Sequence, residues 1–332
     1  MVRDIVRETF WDESTNQAFR DTTPDPVVSA LEVLTHLGDG AVIVGLAVLL
    51  YWFGATDRRR DRIFVIAVGL AGMAIVSGIK GIVALERPTA ALAFAPVDYP
   101  GYTFPSAHAL GTAVVYTALA AVATIGTARQ RYAVAAVIIV LVAYSRVVMG
   151  VHYLGDVIVG VGLGLAFIAL VIRDPDPEIS VLFSLAGATA ILAYLLGSTQ
   201  FVTLTVGASI GGLAGWAYVK PRRPDPYGAS ILVLGVLVLG LFLALRWLQV
   251  LGALEWTVDA LGSTLGVAPA IEVVGYALAT AAAVAVPNAA ERLDDWPAVQ
   301  RLQAVLPFSG RTVDPEKVSL PGVDSEDDSV RS

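Results

Sequence analysis

Long apolar blocks separated by short polar stretches run from residue 27 almost to residue 286. They fall at about 27–53, 63–85, 106–126, 132–149, 157–172, 181–198, 202–219, 228–248 and 268–286. A helix needs about 20 mostly apolar residues to cross the hydrocarbon core of a bilayer. The pattern therefore predicts an all-α, polytopic membrane bundle of about nine transmembrane helices, five in residues 27–175 and four in 176–290. Residues 1–26 lack the apolar core of a signal peptide and read as a polar N-terminal segment lying at the surface. After about residue 287 the chain turns amphipathic and then acidic. Residues 291–332 are expected to form an acidic cytoplasmic tail whose last twenty residues are disordered.

Composition sharpens this picture. Of 332 residues, 56% are hydrophobic and 15% charged, against about 25% charged in a soluble domain. Cysteine is absent, which removes disulfides, thiolate metal sites and a cysteine nucleophile. Imidazole chemistry has only His36, His108 and His152 to draw on. The net charge of −7 argues against nucleic acid as a partner. Basic loops stay on the cytoplasmic side. One set of alternate loops holds Arg58, Arg59, Arg60, Arg62, Arg129, Arg131, Arg173, Lys220, Arg222 and Arg223, whereas the other holds Arg87, Arg146 and Arg246. Ten cations against three predict an extracytoplasmic N-terminus and a cytoplasmic C-terminus.

Polar residues in such a chain need a reason, and they cluster at one boundary. In KGIVALERP, Lys80 and Arg87 are seven apart, on one helix face near the outer end of the second block, until Pro88 stops the helix. Two such cations can clamp an anion. In FPSAHALG, Pro105 and Ser106 suit a helix start, so free backbone N–H groups and the positive end of the helix dipole face the same boundary. His108 lies in that first turn, where it could exchange a proton with a bound anion. In YSRVVMGVHYLGD, Arg146 adds a third cation, and His152 stands four residues before Asp156. That spacing lets the carboxylate hold one ring nitrogen and leave the other its lone pair.

These three stretches together resemble the signature of the type 2 phosphatidic acid phosphatase superfamily: Lys80 with six residues before Arg87-Pro88, Pro105-Ser106-Ala107-His108, and Ser145-Arg146 with five residues before His152 and three more before Asp156. The superfamily includes membrane lipid phosphatases, polyprenyl pyrophosphate phosphatases, glucose-6-phosphatase and soluble vanadium haloperoxidases, and the resemblance covers residues 27–175. It implies an integral-membrane phosphatase of a lipid phosphate or pyrophosphate, with its catalytic core in that region. By the same resemblance, His152 attacks phosphorus and is oriented by Asp156, while His108 protonates the leaving oxygen. Lys80, Arg87, Ser106, Ala107 and Arg146 bind the phosphate oxygens, and no metal or other cofactor is implied. Ala107 departs from the glycine usual there, adding a methyl but keeping the N–H.

Other polar residues read more plainly. His36 and Asp39 interrupt the first block, which is long enough to break in two, and Asp39 reads as a helix cap or interface residue. Glu86, Glu255, Asp259 and Glu272 fall near outer boundaries and are expected to face water. Gly160 with Gly164, and Gly207, Gly211 and Gly215, are spaced for close helix packing. Alternative readings are the same core acting on a water-soluble phosphoester, a vanadate-dependent haloperoxidase, and a non-enzymatic transporter or channel. A transporter would spread its charges through the depth of several spans, whereas these gather at one boundary.

Overall fold

The structure is a computed structural model that describes residues 10–89, 101–196, 201–220, 222, 224–250, 257–258, 265–266 and 268–306. The acidic tail from residue 307, the boundary residues Glu255 and Asp259 and the loop cation Arg223 lie outside the described residues.

Helices occupy the apolar blocks. α1 (Glu13–Thr22) precedes a broken pair, α2 (Asp25–Leu34), extended by a 3-10 turn at Thr35–Gly38, and α3 (Gly40–Phe53), with a 55° bend between Asp25–Gly38 and Gly40–Phe53. α4 (Arg59–Val83) has 25 residues, about 37 Å of helix, and stops at Ala84 in the left-handed conformation. Then come α5 (Ala107–Val122), α6 (Ala128–Val148), α7 (Leu154–Val171), α8 (Ile179–Leu195), α9 (Val202–Val219), α10 (Gly228–Val250), α11 (Ala268–Ala290) and α12 (Pro297–Val305). Among the described residues the extended structure is a two-residue ladder pairing Thr257 with Gly266 and Val258 with Leu265.

Five helices are long and apolar enough to cross a membrane, or six if the bent pair forms one span. The expectation of about nine is thus not reached by length and apolarity. Ala107–Val122, Ile179–Leu195 and Gly228–Ala244 are apolar but shorter. Outward faces carry exposed aliphatics such as Val134, Val137 and Val140 on α6, as lipid contact requires.

Successive helices run up and down, so the loops sort to two ends. At one end Arg60 pairs with Asp176 and donates to the Pro177 carbonyl at 3.0 Å, and Lys220 pairs with Glu178 at 2.9 Å. At the other end lie the start of α3, the end of α4, the start of α5, the end of α6 and the start of α7.

Two local features hold the bundle. Pro287 inside α11 cannot donate to the Ala283 carbonyl one turn back. Trp52 Nε1 fills that vacancy at 2.7 Å, and the hydroxyl of buried Tyr51 donates to the neighbouring Val284 carbonyl, also at 2.7 Å. The second feature is glycine at helix contacts. A Cβ on Gly211 would lie 2.2 Å from the Ala277 carbonyl oxygen, so α9 seats directly on the α11 backbone. On α7, a Cβ on Gly160 would come 2.9 Å from the Ser106 carbonyl oxygen, and one on Gly164 2.8 Å from the Leu110 carbonyl oxygen. Backbone contact there is what sets the first turns of α5 and α7 side by side.

Glu272 departs from its expected place in water: it is half-buried and accepts a 2.7 Å hydrogen bond from the Thr203 hydroxyl.

Gly164→Ala should therefore wedge α7 from α5 and lower stability by about 1–3 kcal/mol, as overpacking does. A thermal-unfolding midpoint equal to wild type would show that this contact can relax.

Candidate active site

The three polar stretches meet at one end of the bundle. Lys80, in the last turn of α4, is 2% exposed. Its ammonium donates to the Tyr102 carbonyl and, at 3.2 Å, to the Thr103 carbonyl. Arg87 lies past the end of α4. Its Nε donates to the Gly101 carbonyl at 3.1 Å and its Nη1 to the Val151 carbonyl at 2.9 Å. The same Nη1 stands 3.3 Å from His152 Nε2. Arg146, in the last turn of α6 and 1% exposed, donates to the Thr35 hydroxyl at 2.9 Å. Burying cations this deeply costs free energy, and the backbone carbonyls and the Thr35 hydroxyl offset part of that cost.

Ser106 is fully buried at the start of α5, where its Oγ accepts from the Ala109 N–H at 3.4 Å. Its own N–H donates to the Asp156 carbonyl at 3.0 Å, tying the start of α5 to that of α7. Ala107 is the first helical residue and half-buried. N–H groups of a helix's first turn have no partner within the helix, so this end offers donors to an anion.

His152 follows the end of α6, with 2% of its surface exposed. Its Nδ1 lies 2.9 Å from Thr103 Oγ1 and 3.4 Å from Asp156 Oδ2. The Thr103 hydroxyl donates to Asp156 Oδ2 at 2.5 Å, so it accepts from the ring Nδ1–H. The expected direct Asp156–His152 contact is therefore chiefly a relay through Thr103. Asp156 Oδ2 also accepts from the Tyr153 N–H at 2.9 Å, and Oδ1 from Trp11 Nε1 at 3.0 Å. With Nδ1 carrying the proton, Nε2 keeps its lone pair and meets the Arg87 guanidinium. Burial, and then the charges of Arg146, Arg87 and Lys80, push His152 well below the usual imidazole range; the His108 ring acts on it in the same direction. The chain thus presents a neutral, oriented imidazole among three cations.

His108 sits in the first turn of α5. Its Nε2 lies 2.8 Å from Asp39 Oδ1, and Asp39 Oδ2 lies 2.6 Å from His36 Nδ1. Asp39 occupies the cap position of α3, but the expected cap is not made by its side chain. It partners His108 instead.

Every residue singled out in the three stretches lies at this end. Sequence reasoning missed Thr103, Asp39, Thr35 and Trp11. Asp39 did carry a signal, a carboxylate inside an apolar block. Thr103 and Thr35 carried none, because their hydroxyls matter only through partners distant in sequence. The polar N-terminal segment also does more than lie at the surface, since Asn16 is 2% exposed.

The PAP2 superfamily model matches residues 61–180. Decaprenylphosphoryl-5-phosphoribose phosphatase of Mycobacterium tuberculosis (strain ATCC 25618 / H37Rv) is 34% identical over 139 residues, covering 42% of this chain and 75% of that protein. Phosphatidylglycerophosphatase B of Bacillus subtilis (strain 168) is 31% identical over 147 residues, covering 42% of this chain and 70% of that one. Among solved structures, the first transmembrane PAP2 type phosphatidylglycerolphosphate phosphatase from Bacillus subtilis matches with 28% identity and a TM-score of 0.44. It covers 49% of this chain and 83% of that one.

The geometry has a spectroscopic consequence that needs no substrate. With ¹⁵N-labelled histidine, the His152 ring should stay neutral in its Nδ1–H form through the range, about pH 6 to 7, where a free imidazole charges. A His152 signal that titrates in that range would contradict the site's electrostatics.

Proposed function

The chain belongs to the PAP2 superfamily, and on that premise we propose that it is an integral-membrane, metal-independent phosphatase that cleaves a lipid phosphate or lipid pyrophosphate through a phosphohistidine intermediate. The observation that carries this reading is the convergence of Lys80, Arg87 and Arg146 on the neutral His152 imidazole, whose Nδ1 is held by Thr103 and Asp156. The named activities of the Mycobacterium tuberculosis and Bacillus subtilis relatives support a phosphorylated lipid as the substrate class.

In this reading the phosphate enters among the three cations, with the N–H groups at the start of α5 and the Ser106 hydroxyl on its remaining oxygens. A hydroxyl can accept in the helix cap and donate to phosphate at once. His152 Nε2 attacks phosphorus as the bond to the lipid oxygen breaks. His108, held at Nε2 by Asp39, gives that oxygen a proton through its other ring nitrogen. The lipid product leaves and the phosphoryl group stays on His152. Water then attacks phosphorus, His108 takes a proton from it, the P–N bond breaks, and inorganic phosphate leaves with His152 restored. The buried cations stabilise charge on the equatorial oxygens, the task Mg²⁺ performs in many other phosphoryl transfers.

In the same reading the chain crosses the membrane nine times, the shorter helices Ala107–Val122, Ile179–Leu195 and Gly228–Ala244 included. The site then opens toward the extracytoplasmic leaflet and the C-terminus is cytoplasmic, since Arg58, Arg60, Arg62, Arg129, Arg131 and Arg173 lie at the end opposite the site. A site at the ends of spans can take a phosphate head group while its acyl or prenyl tail stays in the bilayer.

Purified protein should release phosphate from at least one of phosphatidate, phosphatidylglycerophosphate and a polyprenyl pyrophosphate, faster than from a water-soluble phosphomonoester. His152→Ala should abolish that release while the thermal midpoint holds; retained turnover would refute the nucleophile assignment. EDTA should leave the rate unchanged. Asp39→Asn should lower kcat by about tenfold or more, most strongly for substrates with poor leaving groups, since it unsettles the proton donor. Ala107→Gly should be tolerated, because both residues offer the same N–H.

A further inference from the structure

Residues 11–23 reach all three parts of the site. Glu13 Oε1 accepts from the Thr89 N–H at 2.8 Å, two residues past Arg87. Asn16, the one buried residue of its helix, donates Nδ2 to the Val147 carbonyl at 3.0 Å and to the His152 carbonyl at 2.8 Å. Trp11 donates its single N–H to Asp156 Oδ1. The indole also stands against the Phe104 ring, with centroids 6.1 Å apart, and over Gly155, where a Cβ would lie 2.4 Å from Trp11 Cε2. The segment is anchored on α6, where Phe19 meets the Tyr144 ring edge-on and the Thr23 and Tyr144 hydroxyls lie 2.7 Å apart.

Packing alone does not account for this pattern. A hydrophobic anchor needs no N–H, and an asparagine is a poor choice for a buried position unless its amide is used. Here an N–H donor of each residue goes to the nucleophile loop, that of Trp11 to the carboxylate that holds the ring through Thr103 and that of Asn16 to the backbone of His152 itself, while Asn16 Oδ1 is buried without a hydrogen-bond partner among the described residues. Chain order matters as well. These donors come from a segment some 130 residues away from the loop they hold.

We propose that the N-terminal segment is a positioning element for the nucleophile, in which Trp11 acts through Asp156 and Asn16 through the His152 backbone. This rests on the assignment of His152 as nucleophile. Trp11 fixes Oδ1, so Oδ2 is turned toward the Thr103 hydroxyl and the imidazole tautomer is locked. The donated hydrogen bond also draws charge from the carboxylate. Without it, Asp156 would stabilise a protonated His152 more strongly, and the neutral nucleophile would persist over a narrower pH range. Asn16 holds the peptide that carries the ring, so Nε2 stays aimed at phosphorus.

The test uses the full chain in lipid nanodiscs with phosphatidate, phosphatidylglycerophosphate and polyprenyl pyrophosphate, and compares wild type, His152→Ala, Trp11→Phe and Asn16→Leu. An active wild type with an inactive His152→Ala variant upholds the parent reading; a variant as active as wild type would defeat that reading and with it this proposal. With the parent reading upheld, Trp11→Phe keeps the ring contacts and removes only the N–H. It should lower kcat about tenfold, or about 1.4 kcal/mol of barrier, with KM within about twofold and the thermal midpoint unchanged. The acid limb of kcat/KM should move to higher pH, and the ¹⁵N signals of His152 should shift in the absence of substrate. Asn16→Leu should lower kcat likewise. Wild-type kcat, acid limb and His152 signals in Trp11→Phe would overturn the proposal. So would a loss of activity that merely follows a fall in thermal midpoint with the pH profile intact.

Discussion

Putting Lys80 and Arg146 almost wholly out of water is the demand that shapes this end of the molecule. In a membrane bundle an unpaired buried charge is among the most expensive things a chain can contain. The carbonyls of Tyr102 and Thr103 meet Lys80, the Thr35 hydroxyl meets Arg146, and the carbonyls of Gly101 and Val151 meet the half-buried Arg87 beside them. The same contacts draw the loop before α5 and the loop before α7 over the end of α4.

That field also decides the state of the imidazole in its midst. Surrounded by positive charge and sealed from water, His152 holds its proton on one nitrogen only. Which nitrogen is a matter of geometry. Thr103 receives the Nδ1–H and passes its own proton toward Asp156, so the carboxylate fixes the ring without sitting directly on it. A second imidazole and carboxylate pair, His108 with Asp39, stands at the same end. His152 and His108 are thus held by different acids, Asp156 in the first turn of α7 and Asp39 just before α3, which His36 also contacts.

Close backbone packing is what allows this. Gly160 and Gly164 bring α7 against α5 until the Ser106 N–H reaches the Asp156 carbonyl. The far end of the bundle answers with surface ion pairs such as Lys220 with Glu178, which are exposed and contribute little to stability.

The sequence by itself determined the helical membrane character, because a helix satisfies its backbone hydrogen bonds internally and an apolar block of the right length is readable without knowing its neighbours. It also determined the residues of the three motifs, since their spacing is local to helix ends, and the break in the first apolar block. Only the tertiary structure decided the roles of Thr103, Asp39, Thr35, Trp11 and Asn16, whose hydrogen bonds join residues 49 to 145 positions apart. A threonine hydroxyl or an indole N–H has no meaning in sequence until a partner is brought to it. Long-range packing, not local propensity, supplies that partner.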